Sequence, residues 1–473
     1  MSRRRSRVNS VLVCLGCIAG AALGTVGGCP LPGLDGNIGP PPADDGGTPS
    51  VPGNSGLTGK FIGAKECSIC HSKLYESWSE TRHAKAFERL EELGQEKNEV
   101  CLACHSTGFG QAGGFADRAT TDALANVGCE ACHGAALDHR ANVEDRTLRP
   151  PKSMSAEVCG QCHNGYHHAT FDEWAESNHG RVTAVPAASF TAGRSLNSCG
   201  ACHSGDFRQG AFIEEETVPD SLLAGKAPED MNAVTCAVCH DPHQRTGNAF
   251  QPGAGRDLQL RYVQIAFPTP SNSIADATNP DRFNLCGQCH HSRGRTWQTT
   301  DRAPHESIQG NFYTGEMPVP DGTSPLLPNE RTVHAFVPKQ CSTCHMQHHE
   351  FVGGEPGQTH AGHQFAVVST AGCSTTGCHP TPEAAAADKD RLQAEVQAAL
   401  DDIKARLGDP ATWEYSSQGG PAASAQAGVP EAVKQIRFLY YYVLHDESLG
   451  VHNPEYARAI IRKADELLTS IGR

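Results

Sequence analysis

Large apolar side chains are scarce in this sequence. Only 38% of its 473 residues are hydrophobic and 6% are aromatic. That is little material for the cores of a chain long enough for two to four ordinary domains. Beyond the N-terminal segment there is also no apolar run long enough to span a bilayer. The scarcity indicates that something other than side chains fills the interior.

Positive charge is also in short supply. The chain has 39 Lys and Arg against 53 Asp and Glu, which gives a formal net charge of −14. Nucleic acids are bound by basic surfaces, so we expect no nucleic-acid partner. The acidic balance permits a cationic protein partner without requiring one.

Cysteine is abundant but is confined to one pattern. Eight segments read Cys-x-x-Cys-His, and in a ninth the two cysteines are separated by four residues. The other three cysteines are Cys14, Cys17 and Cys29, so none after residue 29 lies outside a motif. In chain order, motifs 1 to 9 are Cys67/Cys70/His71, Cys101/Cys104/His105, Cys129/Cys132/His133, Cys159/Cys162/His163, Cys199/Cys202/His203, Cys236/Cys239/His240, Cys286/Cys289/His290, Cys341/Cys344/His345 and Cys373/Cys378/His379.

This spacing suits covalent attachment of haem. Two cysteines three residues apart lie on one face of a helical turn, where they can form thioethers with the vinyl groups of one porphyrin. The following histidine then reaches the iron as its proximal ligand. Structural zinc sites do not require a histidine after each pair, and disulfide scaffolds use varied spacings. We therefore predict about nine covalently bound haem c groups.

Fifteen histidines remain to supply distal ligands. The presumed haem region has only Met154, Met231, Met317 and Met346 as methionine alternatives, so bis-histidine coordination is favoured. The pairing of each distal histidine with a haem is not readable from the sequence. The distal candidates are His83, His139, His179, His243, His305, His334, His360, His363 and His452.

An internal repeat connects two of these candidates. Trp78 precedes His83 by five residues, and Trp174 precedes His179 in the same way, at an offset of 96 residues. Trp297, followed by His305, is a weaker third copy. The repeat indicates duplication of small haem-binding units. We predict that each Trp packs on a porphyrin with its indole N–H near a propionate, and that each His binds iron.

Composition divides the chain into four parts. Residues 1–28 have a basic start, an apolar stretch too short to span a membrane, and a lipoprotein-like box ending at Cys29. We predict a signal peptide and a lipidated Cys29; an ordinary cleaved signal is the alternative. Residues 29–60 are rich in Gly, Pro, Asp and Ser and are predicted to be a disordered linker. Residues 61–380 form the haem domain.

Residues 381–473 lack cysteine and have helical periodicity. Apolar residues recur at helical spacing from Leu392 to Leu407, and Asn453-Pro454 is typical of a helix start. We therefore predict amphipathic helices that pack on the haem domain. The expected fold is mainly α with extensive irregular loops, and the haems form the core. Haems at this density must lie close enough together for electrons to hop between them.

Several segments resemble a known superfamily. Phe61 to Phe87, with its Trp78 and His83, looks like the start of the tetrahaem cytochrome c of nitrifying bacteria, and the sequence around motifs 2 and 3 continues the likeness. Asp446 to Pro454 is similar to a segment of the multihaem nitrite reductases. The resemblance implies the superfamily that includes these proteins, hydroxylamine oxidoreductase and octahaem tetrathionate reductase. In that superfamily the histidine matching His452 is a distal ligand.

Two departures bear on catalysis. No Cys-x-x-Cys-Lys exists in this chain, although the nitrite reductases mark their catalytic haem in that way. Hydroxylamine oxidoreductase cross-links a tyrosine to haem, whereas we expect Tyr440, Tyr441 and Tyr442 to serve in packing.

Three functions remain open from the sequence. The first is an exported, lipid-anchored electron-transfer cytochrome on the periplasmic or cell-surface side, working with unidentified redox partner proteins. The second is a multihaem oxidoreductase that acts on a small nitrogen or sulfur compound at one open haem. The third is a scaffold lipoprotein within a larger redox complex.

Overall fold

The computed structural model describes residues 60–165, 169–183, 190, 193–246, 257–261, 285–337, 340–348, 361–374 and 377–473. Within these ranges the backbone forms helices and loops, with two isolated bridges and no β-strand. The mainly α fold with irregular loops is thus confirmed. The α-helices are α1 Ala64–Cys67, α2 Ser72–Ser79, α3 Ala86–Glu92, α4 Glu99–His105, α5 Arg118–Thr121, α6 Cys129–His133, α7 Leu137–Ala141, α8 Glu157–Gly160, α9 Thr170–Glu176, α10 Gly193–His203, α11 Gly205–Arg208, α12 Cys236–Cys239, α13 Gln309–Thr314, α14 Cys341–His345, α15 Ala371–Ser374, α16 Pro382–Leu407, α17 Pro410–Trp413, α18 Glu431–Leu444 and α19 Pro454–Ser470.

Tighter turns connect many of these helices. The 3₁₀ segments are His83–Lys85, Asp122–Leu124, Arg146–Leu148, Asn178–Gly180, Asp220–Leu222, Pro228–Asp230, Cys286–Gln288, Val333–Phe336, Ser416–Gln418 and Ala423–Gly428, and a π-helical turn covers Gln209–Ile213. The first cysteine of every motif lies in a short α-helix or, for motif 7, in a 3₁₀ turn. Each motif therefore begins in a local helical segment.

The long helices lie at the C-terminal end, and their termini follow from the sequence. Thr381 caps α16 by accepting a hydrogen bond from the Ala384 amide, and Gly408 follows its last residue with a φ of 77°. Asn453 caps α19 by accepting from the Tyr456 amide, with proline at the first helical position. The sequence predicts both the cap of α19 and its first turn.

These helices build the largest apolar core of the described residues. The predicted stripe of α16 is buried, with Val396 and Leu400 at no more than 1% exposure. It packs with α18 and α19, and the same cluster includes Ile308, the residue before α13, and Phe312 within α13. The C-terminal helices therefore pack on the segment that follows motif 7, which places them against the region of the motifs.

Far fewer buried apolar residues surround the earlier motifs. One cluster of five buried residues surrounds Leu102 of motif 2, and another of nine surrounds Ala201 of motif 5. Short helices with so few buried apolar contacts gain little stability from side-chain burial alone. This composition suits a region whose interior is completed by a large prosthetic group.

One further property concerns membranes. Across the ranges given above, no helix combines the length and apolar character needed to cross a bilayer. The predicted signal peptide, the lipid on Cys29 and the linker over 29–60 fall outside the described residues, except for Lys60.

Candidate haem centres

In the eight regular motifs, a helical turn brings the histidine back over the first cysteine. The amide of His71 donates to the Cys67 carbonyl at 2.9 Å, and that of His240 donates to the Cys236 carbonyl at 2.8 Å. The same bond recurs in motifs 4 and 7. This geometry places two thiols and an imidazole on one side of a turn. None of the 18 described cysteines is held in a disulfide.

Six motif histidines lie opposite a second histidine at nearly constant separation. Every pair joins one predicted proximal residue to one predicted distal candidate. The distances between ring centroids are 6.1 Å for His83–His163, 6.1 Å for His133–His243, 6.1 Å for His179–His290, 6.3 Å for His203–His305, 6.3 Å for His240–His363 and 6.0 Å for His345–His452.

That separation fits a shared metal rather than direct stacking. Two imidazoles on opposite sides of one metal ion are joined by two metal–nitrogen bonds of about 2 Å each. Adding the distance from each nitrogen to its ring centre gives a span close to the observed one. Each of these six pairs could therefore hold one iron between its proximal and its distal residue. Within the described ranges, no three His, Cys, Asp or Glu side chains are grouped to hold a metal ion alone.

Hydrogen bonds at Nδ1 orient many of these rings. The Nδ1 atom of His133 lies 2.8 Å from the Pro151 carbonyl, and that of His345 lies 3.0 Å from the Phe365 carbonyl. An imidazole that donates from Nδ1 keeps Nε2 available as a lone-pair donor to iron. Equivalent Nδ1 contacts are made by His105, His240, His290, His334, His363 and His452.

Burial keeps several distal candidates neutral. It is the main cause that lowers the pKa of His179 to about 4, with a further contribution from His290. Burial likewise lowers the pKa of His363 to about 4, and the pKa of His305 to about 3, where Arg293 adds to the effect. A neutral imidazole is the form that binds a metal.

His452 has a different environment. Burial alone would lower its pKa, but the charge of Asp446 and a hydrogen bond to that carboxylate together raise it. The Nδ1 atom of His452 is 2.7 Å from Oδ1 of Asp446, whose side chain is completely buried. A carboxylate behind a ligating imidazole increases the electron donation of that ligand.

The internal repeat is a repeated hydrogen-bonding unit. The Trp78 indole N–H donates to the Val127 carbonyl at 3.2 Å, while the Val127 amide donates to the His83 carbonyl at 3.0 Å. In the second copy, Trp174 donates to the Val234 carbonyl at 2.8 Å, and the Val234 amide donates to the carbonyl of the distal candidate His179 at 3.1 Å.

This finding corrects one expectation. Both indole N–H groups are engaged by a backbone carbonyl rather than being free to reach a propionate. Each valine lies two residues before the first cysteine of a motif, Cys129 or Cys236. The Trp therefore ties a distal candidate to the start of a later motif.

Cysteine side chains of different motifs lie close enough together to shift one another's pKa. This proximity relates motifs 1 and 3, 2 and 4, 4 and 6, 5 and 7, 7 and 8, and 8 and 9. The cysteine pairs are Cys67–Cys129, Cys104–Cys162, Cys159–Cys236, Cys202–Cys289, Cys286–Cys341 and Cys344–Cys373.

Two further pKa shifts relate these motifs. The interaction with Cys236 and burial raise the pKa of Cys159, and the nearby Cys132 of motif 3 adds to the shift. Burial, followed by the charge of Cys289 in motif 7, raises the pKa of Cys239 in motif 6 to about 12. Motifs 3 and 4, and motifs 6 and 7, are therefore also neighbours.

The second cysteines of the first and last motifs differ from the other attachment residues. Cys70 of motif 1 and Cys378 of motif 9 are exposed, whereas the other 16 described cysteines are buried or half-buried. His71, which follows Cys70, is exposed as well. Motifs 1 and 9 therefore each have one attachment cysteine at the surface. The thioethers at these two cysteines stay predictions.

Buried donors beside motif 7 are suited to an anionic group. Gln288 Nε2, His291 Nε2 and Arg293 Nε are buried without a hydrogen-bond partner in the described structure. Leaving such donors unsatisfied is costly, so they require acceptors. Haem carries two carboxylates, and these residues can hold them. The thiols, facing imidazoles and orphaned donors together fit haem c.

Some predicted ligands are not in such pairs. His71 and His105 make no ring contact with a second histidine in the described part of the chain, and neither does the distal candidate His139. His334 lies close enough to His379 of motif 9 for that histidine to lower its pKa, after burial and despite a backbone hydrogen bond to Val451. The candidate His360 lies outside the described residues.

Sequence reasoning missed several residues that support the site. The buried carboxylate of Glu130 accepts hydrogen bonds from the Gly63 and Ala136 amides. His445 places its Nδ1 2.6 Å from the Pro304 carbonyl, in the manner of the paired ligands. Glu130 occupies one of the two variable positions between the cysteines of motif 3, so no sequence pattern marks it. His445 could have been noted, because it lies seven residues before His452.

Fold and site together define a multihaem c-type cytochrome. Residues 66–134 match the family model for cytochrome c554 and c-prime. Together with the relatives and structures below, this match supports the multihaem cytochrome c superfamily.

Relatives match parts of the chain. Cytochrome c-554 of Nitrosomonas europaea is 33% identical over 139 residues, covering 22% of this chain and 58% of that protein. The C-type polyheme cytochrome OmcC of Geobacter sulfurreducens is 25% identical over 183 residues, covering 35% of this chain and 22% of OmcC. The chain therefore spans less than two thirds of these relatives.

Solved structures match over more of the chain. The outer cell wall cytochrome OcwA aligns over 86% of this chain and 99% of its own, with a TM-score of 0.56 and 19% identity. The undecaheme cytochrome from the S-layer of Carboxydothermus ferrireducens covers 87% of this chain and 69% of its own, with a TM-score of 0.53 and 18% identity. At these identities the likeness shows the fold alone.

Proposed function

We propose that the chain binds nine covalent haems and conducts electrons between redox partner proteins. The six facing histidine pairs carry this proposal. Two axial histidines saturate an iron and favour electron transfer over substrate binding. The cofactor supplies the one-electron chemistry, while the chain attaches, orients and shields it.

The proximity of the motifs to one another supports an order for the haems. Motifs 1, 3, 4, 6, 7, 8 and 9 form a continuous row, with motif 2 beside motif 4 and motif 5 beside motif 7. Motifs 1 and 3, 2 and 4, and 3 and 4 are neighbours. The same relations recur three motifs later, between motifs 4 and 6, 5 and 7, and 6 and 7. The two Trp–His repeats differ by three motifs as well, because His83 faces motif 4 and His179 faces motif 7. This regularity supports a relay extended by duplication.

The two ends of the row are suited to exchange electrons with partners. Motif 1 has its second cysteine, Cys70, at the surface, and motif 9 has Cys378 there. A haem attached at each of these motifs would have an accessible edge, because one of its attachment cysteines is exposed. Exposure at both ends therefore supports entry and exit of electrons at motifs 1 and 9.

The distal ligands are assigned on the basis of the facing pairs. His83, His179, His243, His305, His363 and His452 are the second ligands of the haems on motifs 4, 7, 3, 5, 6 and 8. His334 serves motif 9, an assignment supported by the proximity of His379. His139 faces no second histidine among the described residues, and His360 lies outside them, so both stay predictions. The catalytic alternative is to be sought at motifs 1 and 2.

The proposed location is outside the cytoplasm. Two structural neighbours are named for the outer cell wall and the S-layer, and the N-terminal sequence has the pattern of an export signal. We propose that Cys29 carries a lipid, that residues 29–60 form a linker, and that residues 61–380 and 381–473 form the haem domain and its helical support.

A redox titration tests the function. The purified holoprotein is reduced stepwise while its absorption is recorded, and we expect nine electrons per chain. Electron paramagnetic resonance of the oxidised protein should be dominated by low-spin iron. Carbon monoxide bound by the reduced parent protein would reveal an open haem and favour the oxidoreductase alternative.

A further inference from the structure

A short loop contacts three histidines that are proposed iron ligands. We define the junction loop as Ala361–Phe365. The Phe365 ring packs edge to face on His179, with centroids 4.4 Å apart, and lies 5.7 Å from the ring of His363. The Phe365 carbonyl is 3.0 Å from Nδ1 of His345. These histidines belong to the pairs at motifs 7, 6 and 8.

The backbone of the loop is held in an unfavourable conformation. Phe365 has a φ of 56°, which is rare for a bulky residue and persists only where surrounding contacts impose it. Gly362 has a φ of 83°, and a Cβ there would lie 2.6 Å from the carbonyl carbon of Met346. The loop is thus pressed against the residue that directly follows His345.

A buried carboxylate anchors the other end of the loop. Glu173, only 5% exposed, accepts hydrogen bonds from the Ala361 amide at 2.8 Å and the His363 amide at 2.7 Å. Its two oxygens each take one amide, an arrangement that glutamine cannot reproduce because one side would present an NH₂ group. Glu173 belongs to α9, which leads directly to His179.

We propose that Glu173 and Phe365 are positioning residues that fix the axial imidazoles of three successive haems, those on motifs 6, 7 and 8. This inference rests on the proposed function, because it takes His363, His179 and His345 as iron ligands. Glu173 sets the position of His363. Phe365 holds the ring of His179 with its aromatic edge, and it orients His345 through its carbonyl. The ligand geometry of the haems on motifs 6, 7 and 8 is therefore set together by these shared residues.

The first test replaces the aromatic ring. In Phe365→Leu we expect the low-spin resonances of the haems on motifs 6 and 7 to move while the other haems keep theirs. Phe365→Tyr retains the ring and should restore the parent spectrum. Phe438→Leu changes another buried phenylalanine, which packs on Tyr442, and should leave every resonance unchanged. A parent-like spectrum for Phe365→Leu would overturn the role of Phe365.

The second test removes the anchor. Glu173→Ala should lose His363 as a ligand, so that one haem becomes high-spin and binds carbon monoxide, with nine haems still present by mass. Glu173→Gln keeps one acceptor and should show a smaller fraction of that signal. An unchanged low-spin spectrum in Glu173→Ala would refute the anchor. If the parent itself lacks low-spin haems, the proposed function fails instead, and the two failures are thereby distinguished.

Discussion

The Nδ1 atom of His452 lies 2.7 Å from the buried carboxylate of Asp446, behind the ring that faces His345 of motif 8. Full burial makes this contact strong, because the carboxylate has no competing water. It also increases electron donation from His452 toward the metal that it would bind. A more electron-rich ligand stabilises the ferric state and lowers the reduction potential.

Asp446→Asn should therefore raise the potential of one haem. Each tenfold loss in the preference for ferric over ferrous iron corresponds to about 59 mV for a one-electron couple, and we expect a positive shift of that order. Spectroelectrochemical titration measures it. Asp390→Asn alters an exposed side chain and is the matched control. A potential that stays unchanged in Asp446→Asn would show that His452 is not an iron ligand.

Replacing His83 by alanine should open one haem. Its ring faces His163, so the haem on motif 4 should become high-spin and bind carbon monoxide, while the other haems keep their spectra. Electron paramagnetic resonance of the oxidised variant records the change. His348→Ala removes an exposed histidine and should have no effect. Without a new high-spin signal, the assignment of His83 and the argument from the Trp repeat would both be wrong.

The haem count rests most heavily on motif 9, whose cysteines are separated by four residues instead of two. Intact mass spectrometry of the holoprotein should give nine haem additions. Replacing both Cys373 and Cys378 by alanine should remove covalent attachment at that motif and leave eight. A parent mass with eight haems, unchanged in this variant, would exclude motif 9 as an attachment site.

Much of the site was readable because it is local in sequence. Cysteine spacing and the following histidine specify one helical turn, and the cap at Asn453 specifies one helix end. Distal pairing was not readable, because it depends on how distant segments pack. The Glu173 anchor of the junction loop, for example, spans 188 residues. The exposure of Cys70 was hidden for the same reason, since its motif has the same local pattern as the buried ones.

Cys29 is predicted to anchor the chain through a lipid. Cys29→Ser removes the thiol that would be acylated, so the protein should move from the membrane fraction to the soluble fraction after export. Immunoblotting of separated fractions measures this. Cys17→Ser lies in the predicted signal peptide and should leave the distribution unchanged. Equal membrane association of Cys29→Ser and the parent would favour an ordinary cleaved signal.

The C-terminal core contains a buried cation. Arg437 is fully buried, lies 4.2 Å over the Tyr415 ring, and donates to the Trp413 and Glu414 carbonyls and to the Gln426 side chain. Substitution by methionine keeps much of the volume but leaves these buried acceptors short of a donor. We expect a loss of roughly 3 kcal/mol in unfolding free energy.

Denaturant unfolding of the holoprotein, followed by circular dichroism, measures this loss as a lower transition midpoint. Arg391→Met, at a side chain that is 71% exposed and paired only with Asp388 among the described residues, should lower the midpoint little, because exposed ion pairs contribute at most about 1 kcal/mol. The haem spectrum of Arg437→Met should remain that of the parent before unfolding. Equal midpoints for the two variants would mean that Arg437 does not stabilise the core beyond filling its volume.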